Sequence, residues 1–137
     1  MKFHAKALLF DNDGVLVDSH EAARIAWEQW STEYAPHFIW DLPENSGVRA
    51  EDKVRQLVPD QFDEANDRIN ELEQNTAGQT IALPGAVDLT RSLQPGTWTV
   101  CTSANVNLGR ARLQAAGIEV PPALVTAEDV KHEIGRA

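Results

Sequence analysis

The sequence predicts an α/β fold: a parallel sheet interrupted by a long helical insertion. Three observations predict it. Short apolar runs at Ala7–Phe10, Trp98–Thr102 and Ala123–Thr126 suit strands of a buried parallel sheet. The first two end in polar residues and lead towards helix starts, as α/β units do. Residues 19 to about 80 carry helical periodicity, so the middle of the chain differs in class from its flanks. The boundaries that follow are an α/β core of residues 1–18 and 81–137 and a helical unit of residues 19–80.

The organising stretch is Ala7-Leu8-Leu9-Phe10-Asp11-Asn12-Asp13-Gly14-Val15-Leu16-Val17-Asp18-Ser19. Asp11 and Asp13 stand where the first strand ends, and ligands of open α/β sheets bind at that end. Residues i and i+2 of an extended segment point the same way. Two carboxylates aimed into one crevice repel unless a proton or a cation intervenes. Mg²⁺ answers this with oxygen ligation and tolerance of bound water and phosphate. Asp-Asn-Asp-Gly is also a good turn sequence. It resembles the opening of an EF-hand loop as well, but a strand precedes it and the closing Glu is missing.

After Asp18 as N-cap, with Glu21 three residues on, Ala22, Ala23, Ala26, Trp27 and Trp30 recur at helical spacing. They predict a helix over Ser19–Glu33 with the tryptophans in packing roles. Pro36 and Pro43 punctuate an irregular stretch. A turn at Gly47 and a helix over Ala50–Leu57 follow, with Arg49 a candidate cation facing a ligand or a plain surface residue. Between Pro59 and Asn75, Phe62, Ala65, Ile69 and Leu72 share a helical face. Asp63, Glu64, Asp67, Glu71 and Glu73 are expected to lie mostly off it.

Pro84-Gly85 marks the return, and Ala86, Val87, Leu89 and Leu93 continue with helical period. Gln94-Pro95-Gly96 turns the chain into Trp98-Thr99-Val100-Cys101-Thr102. Ser103-Ala104-Asn105 then opens a helix that Gly117 closes. A strand ending in Thr-Ser before a helix start is an anion-site signal; capping by Ser103 or Asn105 is the other reading.

The totals bound the function. A chain of 137 residues with 42% apolar content suits one globular unit. No run of about 18 apolar residues marks a membrane span. Met1-Lys2-Phe3-His4 lacks the apolar region of a signal peptide. One cysteine, Cys101, makes no internal disulfide, so a cytoplasmic setting is expected. A net charge of −9 without a basic stripe argues against nucleic acid. The four histidines show no metal-ligand spacing.

Phe10-Asp11-Asn12-Asp13-Gly14-Val15-Leu16-Val17-Asp18-Ser19 closely resembles the first motif of the haloacid dehalogenase-like (HAD) phosphatases. The Gly47-Val48-Arg49 turn, Ala82–Ala86 and Thr102–Asn105 resemble the sugar-phosphate and glycerol-phosphate members most. The resemblance implies that Asp11 is the nucleophile that forms an aspartyl-phosphate and that Asp13 is the general acid/base. Asp11 and Asp13 would also hold Mg²⁺. Ser103, with Thr102 as second choice, would bind the phosphoryl oxygens beside the Ala104 N–H. Arg49 would face the substrate, a small phosphorylated metabolite. Residues 19–80 would be the helical cap that closes over the site.

The resemblance also implies parts that this sequence does not supply. The family's third motif carries a lysine; here the chain reads Lys131-His132-Glu133-Ile134-Gly135-Arg136-Ala137. No acidic pair of the fourth motif follows, and Glu128 and Asp129 stand elsewhere. The expected fold is therefore an incomplete doubly wound parallel sheet with the strand of Asp11 exposed at an edge. A truncated or frameshifted reading frame would explain this, as would self-association through that edge. The alternative function is a non-catalytic remnant that binds phosphate or a partner protein.

Overall fold

The computed structural model describes residues 8–45, 47–126 and 129. In chain order the elements are β1 (Leu8–Asp11), β2 (Val17–Asp18), α1 (His20–Tyr34), α2 (Ala50–Leu57), α3 (Phe62–Thr76), β3 (Ile81–Ala82), α4 (Ala86–Ser92), β4 (Trp98–Cys101) and α5 (Val106–Ala115). β1 and β4 pair in parallel, with Leu8 opposite Trp98 and Asp11 opposite Cys101. The third expected strand reduces to one parallel bridge: Val125 donates to Val100 O at 2.9 Å and accepts from Thr102 N at 2.9 Å.

Two apolar clusters hold the molecule. The first packs α1, α2 and α3 around Trp27, Trp30, Val54, Ile69 and Leu72. Trp30 is fully buried and donates its Nε1–H to the carbonyl of Ala65 at 2.9 Å, so its polar edge is satisfied inside the core. The packing role of the tryptophans follows from this. The second cluster joins Leu16 and Val17 to Val100, Leu113, Ala116 and Ile118, and so fixes β4 and α5 beneath the first motif.

β2 and β3 pair antiparallel, Val17 with Ala82 and Asp18 with Ile81. The helical segment thus leaves and re-enters at one place. This short pairing was not expected: two residues on each side carry too little alternation to be read as strands.

The structure corrects three expectations. Ala7–Phe10 was to be buried on both faces; Leu8 is 40% and Leu9 65% exposed, because among the described residues only β4 flanks β1. Ala7 itself lies outside the described residues. Asp18 is not the N-cap of α1: Ser19 holds that position, and Asp18 Oδ1 accepts from His20 N at 3.1 Å instead. Glu21 pairs with Arg24 rather than closing a capping box. Glu73 is not off the packed face of α3 but buried in it.

Candidate functional site

The first motif turns sharply because one carbonyl collects three amides. Asn12 O accepts from the N–H groups of Val15, Leu16 and Val17, at 3.2, 2.9 and 3.1 Å. Gly14 occupies the turn with φ +80°, a left-handed conformation that a side chain would strain. The chain therefore reverses directly after Asp13, and Leu16 and Val17 drop into the core. Asp11 stays on β1, exposed, with Oδ1 accepting from Asn12 N at 2.8 Å.

Asp13 is the most connected of the expected site residues. Its Oδ1 accepts from Ser19 Oγ at 2.6 Å and from Arg112 Nη1 at 3.3 Å. Its Oδ2 faces Thr102 Oγ1 at 3.5 Å. Arg112 also donates through Nη2 to Glu73 Oε2 at 2.9 Å. Burial pushes the Glu73 carboxyl above its ordinary 4.5, against the pull of the Arg112 guanidinium; the Asp13 charge adds to the rise.

A cleft of about 920 Å³ lies between the helical layer and the sheet end. Asp13, Ser103, Ala104 and Arg49 line it together, so it gathers four of the six expected site residues. Asp11 and Thr102 do not line it. Thr102 is buried beneath, and its Oγ1 accepts from Ala104 N at 3.2 Å. Ser103 is exposed on the cleft side and open to a ligand. Asn105 caps α5, its side chain accepting from Leu108 N at 2.9 Å, which leaves Ser103 without that duty. The start of α5 faces the cleft, and a helix N-terminus favours an anion.

Of the other expected helpers, Lys131 and Glu128 lie outside the described residues. Asp129 accepts from Thr126 N at 2.9 Å and serves its own turn. No group of three His, Cys, Asp or Glu side chains suited to a metal occurs among the described residues. The oxygens that remain, the exposed Asp11 carboxylate and the backbone at Asp13, are hard donors. They fit Mg²⁺, which binds through one or two carboxylates and keeps several waters.

The sequence reading missed Arg112 and Glu73. Both carried a signal. Glu73 follows Leu72 and lies four residues after Ile69 and eleven after Phe62, on the same helical face. Arg112 lies four residues after Leu108 and next to Leu113, at a core position of α5. Two opposite charges at core positions of two helices are a pairing signal.

No family model matches the chain. It is 34% identical over 134 residues to hexitol phosphatase A of Escherichia coli (strain K12), covering 92% of this chain and 61% of that protein. It is 28% identical over 147 residues to 2-deoxyglucose-6-phosphate phosphatase 1 of Saccharomyces cerevisiae, covering 96% of this chain and 60% of that protein. The chain thus spans about 60% of the length of these curated relatives. Among solved structures, a haloacid dehalogenase-like family hydrolase from Streptococcus pneumoniae superposes with a TM-score of 0.69 at 19% identity, covering 94% of this chain and 68% of that one.

Proposed function

We propose that the chain is a haloacid dehalogenase-like phosphatase that hydrolyses small phosphate monoesters, sugar or polyol phosphates, through Asp11 and Asp13, a reading supported by its similarity to two sugar-phosphate phosphatases and by its fold likeness to a haloacid dehalogenase-like hydrolase. The observation that carries the reading is the cleft, whose lining includes the acid/base candidate Asp13, Ser103 and the start of α5. Its size is in the range of small-molecule sites. Residues 19–80 act in this reading as the cap, and Arg49 at the start of α2 faces the leaving group.

An Asp11 oxygen attacks phosphorus, and the bond from phosphorus to the ester oxygen breaks. Asp13 gives that oxygen its proton, so an alcohol leaves. Water then attacks the aspartyl-phosphate as Asp13 takes its proton, and phosphate departs with Asp11 restored. Ser103 and the N-terminal amides of α5 hold the phosphoryl oxygens. Mg²⁺, held by the Asp11 carboxylate and the Asp13 backbone carbonyl, would supply the positive charge that an acidic chain otherwise lacks there. The helical layer excludes water from the acyl phosphate.

Purified protein is expected to release phosphate from sugar phosphates in the presence of Mg²⁺. Asp11→Asn is expected to abolish that release, and turnover in this variant would overturn the assignment. EDTA is expected to abolish it too, with recovery on adding Mg²⁺. A second reading, a phosphate-ester binder without turnover, is favoured by Asp11 lying outside the cleft lining. Binding of sugar phosphate by calorimetry without release of phosphate would support it. A cytoplasmic setting completes the proposal and rests on the single cysteine. Association of copies through β1 is part of it, supported by the exposed Leu8 and Leu9.

A further inference from the structure

Arg112 joins three elements through one guanidinium. It sits on α5 with its side chain 8% exposed, among Leu108, Gly109 and Leu113. One arm of its fork reaches Glu73 of α3 at 2.9 Å, and that carboxylate is 7% exposed. The other arm reaches Asp13 at 3.3 Å. A buried arginine needs a counter-charge, and Glu73 alone supplies it. The second contact, to the carboxylate of the first motif, is not required by charge balance.

That second contact completes a cage. Ser19 from the start of α1, Thr102 from the end of β4 and Arg112 from α5 all converge on Asp13. Proton transfer needs a group held within about 0.5 Å of its working place, and such restraint comes from neighbours whose own positions are locked. Arg112 is held by burial and by Glu73; Ser19 and Thr102 are buried where α1 starts and β4 ends. The planar fork matters, because a lysine ammonium is a point charge on a flexible stem and cannot hold two carboxylates in a fixed relation.

We propose that Arg112 is a positioning residue for Asp13, and that Glu73 ties this positioning to α3 of the helical layer. The proposal rests on the acid/base reading of Asp13 given above. It assigns Arg112 no contact with the reacting atoms.

The test is a double-mutant cycle on Arg112 and Asp13, read with p-nitrophenyl phosphate and Mg²⁺. Arg112→Met is expected to lower kcat by roughly 30-fold or more with KM changed less than about threefold, since the loss falls on the chemical step. In an Asp13→Asn background the same substitution is expected to cost less than about threefold, because the residue it acts through is gone. Equal losses in both backgrounds would mean a merely structural role and overturn the proposal. Arg112→Met leaves Glu73 buried without a partner and endangers folding. Arg112→Lys keeps the charge, and about a tenfold loss of kcat is expected, because one contact is given up; unchanged kcat would overturn the proposal. Urea unfolding of wild type, both single variants and the double variant needs no turnover. The Arg112→Met loss of stability is expected to shrink when Asp13 is already Asn; simple addition would remove the contact and with it the proposal. Failure of the phosphatase reading would look different: turnover indifferent to Asp11→Asn, with the coupling in unfolding intact.

Discussion

Glu73 is a carboxylate in a place where a neutral group is easier to keep. Burial raises its pKa above 4.5, and the neighbouring Asp13 raises it further; Arg112 offsets this only in part. The sign of the pH effect follows. Between 4.5 and the raised value the folded protein binds more protons than the unfolded chain, so stability falls as pH rises through that window. Below the window both states are protonated, and above it both are ionised. Glu73→Gln cannot titrate. The stability of wild type relative to Glu73→Gln is therefore expected to drop with rising pH, by at most about 1.4 kcal/mol per pH unit, as measured by urea unfolding from pH 4 upwards. A gap that widens in favour of wild type as pH rises would contradict the burial argument. At this scale the sequence singled out Asp13 and Ser103 through the motifs their neighbours form, and both line the same cleft. Arg112 and Glu73 carried only the weaker signal of opposite charges at core positions, because their meaning lies in a contact 39 residues apart.

The elements were legible where periodicity was strong. α2 spans Ala50–Leu57 as read: Val54 is buried, Ala50 and Leu57 pack against the same cluster, and Arg49 precedes the helix in extended conformation. α1 ends one residue later than read, at Tyr34, and Arg68 of α3 binds Glu33 beside that end at 2.9 Å. The start of α1 was misread because Asp18 and Ser19 both have capping side chains, and Ser19 is drawn away to Asp13. α5 shows the opposite case. Ser103 and Asn105 were both candidate caps, and the hydrogen bond from Leu108 N selects Asn105. Asn105→Ala is expected to cost about 1 kcal/mol, seen as a lowered urea midpoint with an unchanged m-value. If the start of α5 also receives phosphate, the same substitution is expected to weaken inorganic phosphate binding in calorimetry. Stability lost without any change in phosphate affinity would confine Asn105 to capping.

The whole molecule is shaped by β1, a strand with one neighbour among the described residues. Leu9 is 65% exposed on it, and among the described residues no strand pairs with its other edge. Such edges pair with other chains. Wild type is expected to associate as its concentration rises in sedimentation velocity, and Leu9→Lys is expected to remain monomeric at the same concentrations. A monomeric wild type would contradict this. The edge was foreseen from the motif order, whereas burial of Ala7–Phe10 was inferred from apolarity alone and failed at Leu8 and Leu9. An apolar run states what a strand prefers to face, and the neighbours available decide whether it does.

The antiparallel pairing of Val17–Asp18 with Ile81–Ala82 brings the two ends of the helical segment together. The remainder of the chain therefore senses a gap of fixed width, whatever fills it. Loop-closure cost grows only slowly with length, so the length of the segment adds little to the cost of closing this junction. On the proposed function, the layer over the cleft can diverge while the groups beneath it keep their places, with Arg112 a side chain whose charge a new insert would have to meet.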